Sequence, residues 1–84
     1  MANGQLKFER LGDFMDLTTA QLGQEYTVKA VNTGDAELNA FLFSLGCYTG
    51  EPITVIARRW GSCVVSIKDG RYCIDKGLAR AIAV

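Results

Sequence analysis

Ser62-Cys-Val-Val-Ser-Ile-Lys-Asp-Gly-Arg-Tyr-Cys-Ile-Asp75 is the stretch whose pattern decides the fold. Apolar and polar residues alternate on both sides of Asp69-Gly70. An Asp-Gly pair between two such runs signals a two-residue hairpin turn, because both residues tolerate positive φ. With Asp69-Gly70 at the centre, Lys68 pairs with Arg71, Ile67 with Tyr72, Ser66 with Cys73 and Val65 with Ile74. Opposed residues share a face of the sheet, so Cys63, Val65, Ile67, Tyr72 and Ile74 line one side. Val64, Ser66, Lys68, Arg71, Cys73 and Asp75 line the other. One apolar and one mostly polar face is the pattern of an antiparallel hairpin lying on a core, with Cys73 outermost.

Working outward, Pro52 precedes a second alternating run, in which Ile53, Val55 and Ala57 oppose Thr54, Ile56 and Arg58. Trp60-Gly61-Ser62 turns that run into the hairpin. Residues 36–45 predict a helix: Asp35 can cap it, Glu37 suits the positive end of its dipole, and Gly46 follows where a C′ glycine belongs. Leu38, Leu42 and Leu45 make its apolar stripe. Before it, Tyr26, Val28 and Ala30 alternate with Thr27, Lys29 and Val31 as a half-buried strand. After the hairpin, Asp75 is placed to cap a short helical turn, Lys76 to Arg80, and Ala81 to Val84 read as a closing strand. The chain is therefore mainly β. Five short strands with an inserted helix fit a small, partly closed barrel, which hides sheet edges.

Residues 1–14 read as an N-terminal extension ahead of a domain spanning 15–84. Phe8, Leu11 and Phe14 lie three apart, as on one face of a helical turn, while Gly4 and Gly12 oppose helix formation. The extension reads as a partly ordered tail or as a segment that packs on the domain or docks a partner.

Composition narrows the function. Eighty-four residues hold one core, and 49% hydrophobic with 21% charged residues is a globular balance. Nine basic and nine acidic residues cancel, which excludes the dense positive field of a non-specific nucleic-acid binder. Histidine is absent, and with it the commonest general base and metal ligand. Cys47, Cys63 and Cys73 form no C-x-x-C pair, and a zinc site would need a carboxylate as fourth ligand, so they read as reduced thiols. No signal-peptide pattern is visible, and no apolar run approaches the ~20 residues of a membrane span, so a cytoplasmic protein without direct membrane insertion is expected. No motif sets a Ser, Cys or Thr beside a base, and no glycine-rich phosphate loop occurs. Asp13 with Asp16 reads as solvated charge, and Asp35 with Glu37 as a helix start. The expectation is a protein that is not an enzyme, with no catalytic, cofactor or metal residues.

Two surfaces carry the alternative, binding. Arg58-Arg59-Trp60 joins two guanidinium groups to an indole at a strand end, a combination suited to a protein interface or to stacking on single-stranded nucleic acid. The competing arrangement folds Trp60 over the barrel mouth and leaves the arginines solvated. In the helix, Phe41 and Phe43 bracket Leu42, and only one of them fits beneath the stripe; the other is expected at the surface, as at a contact site.

These segments, in this order, resemble the ferrous iron transport protein A family, FeoA. The resemblance is carried by Met15-Asp-Leu-Thr18, Leu22-Gly-Gln24, and Glu37-Leu-Asn-Ala-Phe-Leu-Phe-Ser-Leu-Gly46. It continues through Thr49-Gly50, Ile53-Thr-Val-Ile56, Arg58-Arg59 and the closing strand, turn and strand from Ile74 to Val84. It implies an SH3-like β-barrel with an inserted helix. It also implies a small accessory protein of bacterial ferrous iron uptake that acts on the membrane transporter FeoB and its cytoplasmic GTPase domain. Similar domains end metal-dependent transcription repressors, so a metal-sensing domain for Fe²⁺ or Zn²⁺ is the alternative; the repressors' helix-turn-helix portion has no counterpart in this sequence. Three features depart from the family pattern: Asn39-Ala40-Phe41 stands where its helix is basic, the Trp60-Gly61-Ser62 loop is short and lacks a proline, and the leader before Met15 is extra.

Overall fold

A computed structural model describes residues 15–84, and the expectations for Phe8, Leu11 and Phe14 lie outside the described residues. Eight elements follow in order: β1 (Glu25–Thr27), β2 (Ala30–Val31), α1 (Ala36–Ser44), β3 (Pro52–Arg59), β4 (Ser62–Ile67), β5 (Gly70–Asp75), α2 (Lys76–Arg80) and β6 (Ile82–Ala83). The fold is mainly β and SH3-like. An antiparallel sheet runs β1-β3-β4-β5, and β2 pairs separately with β6.

The strand read from Tyr26 to Val31 is one run of chain serving two sheets. Tyr26 pairs with Ile53 in β3, whereas Val31 pairs with Ile82 in β6. Between them Val28 donates its N–H to Glu51 O (2.9 Å), and Lys29 donates to Ala83 O (2.8 Å). The partner changes between these two residues, as where strands turn the corner of a barrel. Val28 is buried there and Ala30 is exposed, so the expected alternation stops at the corner.

The hairpin faces are as expected, but its register is not. Ile67 pairs with Gly70, Ser66 with Arg71, Val65 with Tyr72 and Cys63 with Ile74. The turn is Lys68-Asp69, and Lys68 rather than a glycine carries the positive φ (52°). Each partner is displaced by two residues from the Asp69-Gly70 register. A shift of two keeps every side chain on its own face, so Val65, Ile67 and Ile74 are buried and Cys73 is exposed. Gly70 is needed for a different reason: a Cβ there would lie 2.6 Å from Cζ of Tyr72. The Tyr72 ring covers the glycine, which the turn itself does not need.

A β-bulge in β3 makes a second correction. Val55 pairs with Val65, but Ala57 pairs with Val64, so Ile56 has no partner and is exposed. The extra residue reverses the faces beyond it. Ala57 turns outward and Arg58 stands opposite the buried Cys63, contrary to the unbroken alternation.

The buried interior is Leu17, Val28, Leu42, Ile53, Val55, Val65, Ile67, Ile74, Ile82 and Val84, with alanines and cysteines between them. Leu17 and Ala20 enter it from a turn at residues 16–20 that periodicity does not reveal. Asp16 accepts from the Thr18 N–H (2.8 Å) and from its hydroxyl, an Asx turn, while Leu17 N–H reaches Ala79 O (3.3 Å). Asp75 caps α2 as expected, accepting from Leu78 N–H at 2.8 Å.

Candidate interaction surfaces

The first surface is built at the β3–β4 turn. Trp60 and Gly61 make the turn, with Gly61 at φ 78°. Trp60 is fully exposed (101%), so it does not fold over the barrel mouth. Arg58 is exposed, but its guanidinium is engaged by the protein. Turned inward by the bulge, its Nη2 donates to Leu17 O (2.7 Å) and to Ala20 O. Those two carbonyls belong to the 16–20 turn, so Arg58 ties that turn to the end of β3. Arg59, opposite Ser62, is exposed.

From the other side comes α2. The Lys76 N–H donates to Gly61 O at 3.0 Å, which fixes the first turn of α2 against the β3–β4 turn. Thr18, Arg58, Arg59, Trp60, Ser62 and Lys76 thus surround a groove of about 350 Å³, with Cys63 and Ala79 also lining it. The Asp69-Gly70 register hides the part played by Lys76. It sets Asp75 opposite Val64, whereas Asp75 lies opposite Ser62, one residue from Gly61.

Burial raises the pKa of the Cys63 thiol, with the Arg58 charge opposing that shift, and burial pushes Cys47 from 9.0 to about 11. Burial therefore favours the protonated thiol at both positions. Among the described residues no three of His, Cys, Asp or Glu come together to hold a metal ion. Nor is any helix there long and apolar enough to cross a membrane.

The second surface is α1. Asp35 caps it, accepting from Glu37 N–H (2.8 Å) and Leu38 N–H (3.2 Å), and the chain leaves through Gly46 at φ 96°. Leu42 is the only buried residue of this helix. Leu45 is half-buried against the core and Leu38 is exposed, so of the expected three-leucine stripe Leu42 is the buried anchor and Leu45, just past the helix end, a partial one. Neither phenylalanine lies beneath the helix: Phe41 is 49% exposed and Phe43 62%. The Phe43 ring rests against Tyr48 (centroids 4.7 Å apart). Lys68 Nζ lies 5.3 Å from the Tyr48 centroid and 2.7 Å from Glu51 Oε1. The Glu51 hydrogen bond, and then Tyr48, hold the Lys68 ammonium above its ordinary pKa. Phe41 and Phe43 do not line the groove, so the two surfaces are built from separate elements.

Comparison with known proteins gives this architecture a family. No curated protein matches the chain. A manganese-dependent transcriptional repressor superposes with a TM-score of 0.77 at 24% identity, over 86% of this chain and 41% of the repressor. The chain thus spans about four-tenths of that protein's length, and the likeness is one of fold. A crystal structure of an iron uptake regulatory protein, FeoA, superposes with a TM-score of 0.74 at 26% identity, over 84% of this chain and 95% of that one. The profile of the FeoA domain matches residues 15–84, and the chain belongs to the FeoA family.

Proposed function

We propose that this protein is a non-catalytic, cytoplasmic accessory protein of ferrous iron uptake that acts by contact with a FeoB-type transporter, at its cytoplasmic GTPase domain. Family membership supports a role in ferrous iron uptake. The observation that carries the contact reading is the exposure of Phe41, Phe43 and Trp60 together on so small a domain. Exposed aromatics are costly to leave in water and are the usual anchors of protein interfaces. Arg59 beside Trp60 adds a second hot-spot residue type, while Arg58 braces the surface through its hydrogen bonds to Leu17 O and Ala20 O. The domain is read as residues 15–84, with 1–14 as an extension to it.

The test is co-purification of the protein with the cytoplasmic domain of its cognate transporter. Association that falls when Phe41 and Phe43 are both replaced by serine supports the reading. No association, with iron uptake unchanged on deletion, overturns it.

The fold likeness to a manganese-dependent repressor is compatible with a second reading, a metal-sensing domain for Fe²⁺ or Zn²⁺. It requires saturable metal binding by the reduced protein that is lost when the cysteines become serines. Titration without saturation removes it.

A further inference from the structure

We infer that the groove between the β3–β4 turn and α2 is a carboxylate site, which takes an acidic segment of a partner protein with an apolar side chain of that segment against the Trp60 indole. The inference rests on the contact role proposed above and adds the chemistry of what is bound.

The charge of the lining points to an anion. Arg58, Arg59 and Lys76 line the groove, and among the described residues no aspartate or glutamate does. Arg58 is occupied: its donation to Leu17 O and Ala20 O makes it a positioning residue that holds the 16–20 turn as one wall. Arg59 and Lys76 are exposed and come from different elements, β3 and α2, whose backbones are joined here by the hydrogen bond from Lys76 N–H to Gly61 O. A guanidinium can grip a carboxylate with two parallel hydrogen bonds, and an ammonium adds a second point of charge.

The indole favours a peptide over a small inorganic anion. Phosphate would engage the cations and leave Trp60, fully exposed at the rim, without a role. A peptide places carboxylates and apolar side chains a few ångströms apart and uses both. The groove volume, about 350 Å³, accommodates a few side chains of an extended segment and excludes a folded domain.

Trp60 is the only tryptophan, so its emission reports this site alone. The reduced full chain is titrated with a blocked hexapeptide of alternating glutamate and leucine, with the same peptide carrying glutamine for glutamate, and with inorganic phosphate. The glutamate peptide should give a saturable change in emission. Its affinity should fall about twofold to fivefold in Arg59→Gln and in Lys76→Gln, the range of an exposed ion pair. Arg71→Gln, on the exposed face of β5, should retain full binding and Arg59→Lys only part of it, since an ammonium cannot make the paired hydrogen bonds, with circular dichroism confirming that each variant is folded. Raising salt from about 0.05 M to about 0.5 M should weaken binding as well. An equal response to the glutamine peptide, a stronger response to phosphate, or no response to the glutamate peptide overturns the inference. Co-purification with the transporter's cytoplasmic domain separates the two claims. If Arg59→Gln and Lys76→Gln bind it as well as the unaltered protein does, the groove inference alone fails. If the unaltered protein does not bind it, the contact role fails, and the peptide titration decides the chemistry of the groove by itself.

Discussion

The β4–β5 hairpin and helix α1 use apolar residues in opposite ways. Along β4 every second side chain is buried, Cys63, Val65 and Ile67 in turn. Along α1 only Leu42 is buried, although Leu38, Phe41 and Phe43 are also large and apolar. The sheet distributes its attachment to the core over many residues; the helix depends on one. The difference implies that stability resides in the hairpin, while the helix is held in place to present its outer side. Ile67→Ala should therefore have the largest effect, lowering the unfolding free energy by about 2–5 kcal/mol in urea melts. Leu42→Ala should act more locally, so that hydrogen exchange of amides 36–45 accelerates well before that of β4. Uniform acceleration across both would show that helix and sheet open as one unit and would dissolve the contrast.

Gly70→Ala tests the sheet side next. Its added methyl falls on the Tyr72 ring, and displacing that ring should cost about 1–3 kcal/mol. Were Gly70 needed only for turn conformation, the companion change Tyr72→Ala would not relieve the strain. The ring-packing account expects part of the loss to be recovered in the double variant, measured against Tyr72→Ala alone.

The same residue shows how far the fold was legible in the sequence. Alternation assigned the faces of β4 and β5 correctly, since burial depends only on odd or even position. It left the register open, because the Asp69-Gly70 turn and the observed Lys68-Asp69 turn differ by two residues and give the same faces. The observed register leaves Gly70 under the Tyr72 ring, a contact that turn preferences do not encode. The bulge at Ile56 was hidden for a related reason: Ile53 to Arg59 reads equally well as an unbroken strand. That unpaired residue is what aims Arg58 at the carbonyls of Leu17 and Ala20. Arg59 and Trp60 were recognisable by residue type. Lys76 and Thr18 join them only through the register and the 16–20 turn, and so were not. On the helix side, the caps at Asp35 and Gly46 were readable because capping is local. The burial of the leucines was not, because it depends on what lies beneath the helix.

Asp35→Ala probes the helix end at a smaller scale. It removes the acceptor for Glu37 N–H and Leu38 N–H and should cost about 1 kcal/mol. Because α1 hangs from Leu42, the loss should appear first as faster exchange at residues 36–39, with β4 and β5 protected as before. Asp35→Asn, which can still accept, should restore most of the protection. Equal losses in both variants would mean that the charge, not the cap, stabilises the helix start.

The smallest effect on stability is expected where the effect on function should be greatest. Phe43 is 62% exposed, and beyond its contact with Tyr48 it has little packing to lose. Phe43→Ser should shift the unfolding free energy by no more than about 0.5 kcal/mol, as for other surface substitutions. Phe41→Ser, at 49% exposed, should behave similarly. A structural role would make stability and binding fall together. A contact role separates them: the double variant melts within a few degrees of the unaltered protein yet loses association with the transporter domain by tenfold or more, about 1.4 kcal/mol. If the double variant is instead destabilised as much as Ile67→Ala, the two phenylalanines belong to the core in solution, and the division of labour between sheet and helix does not hold.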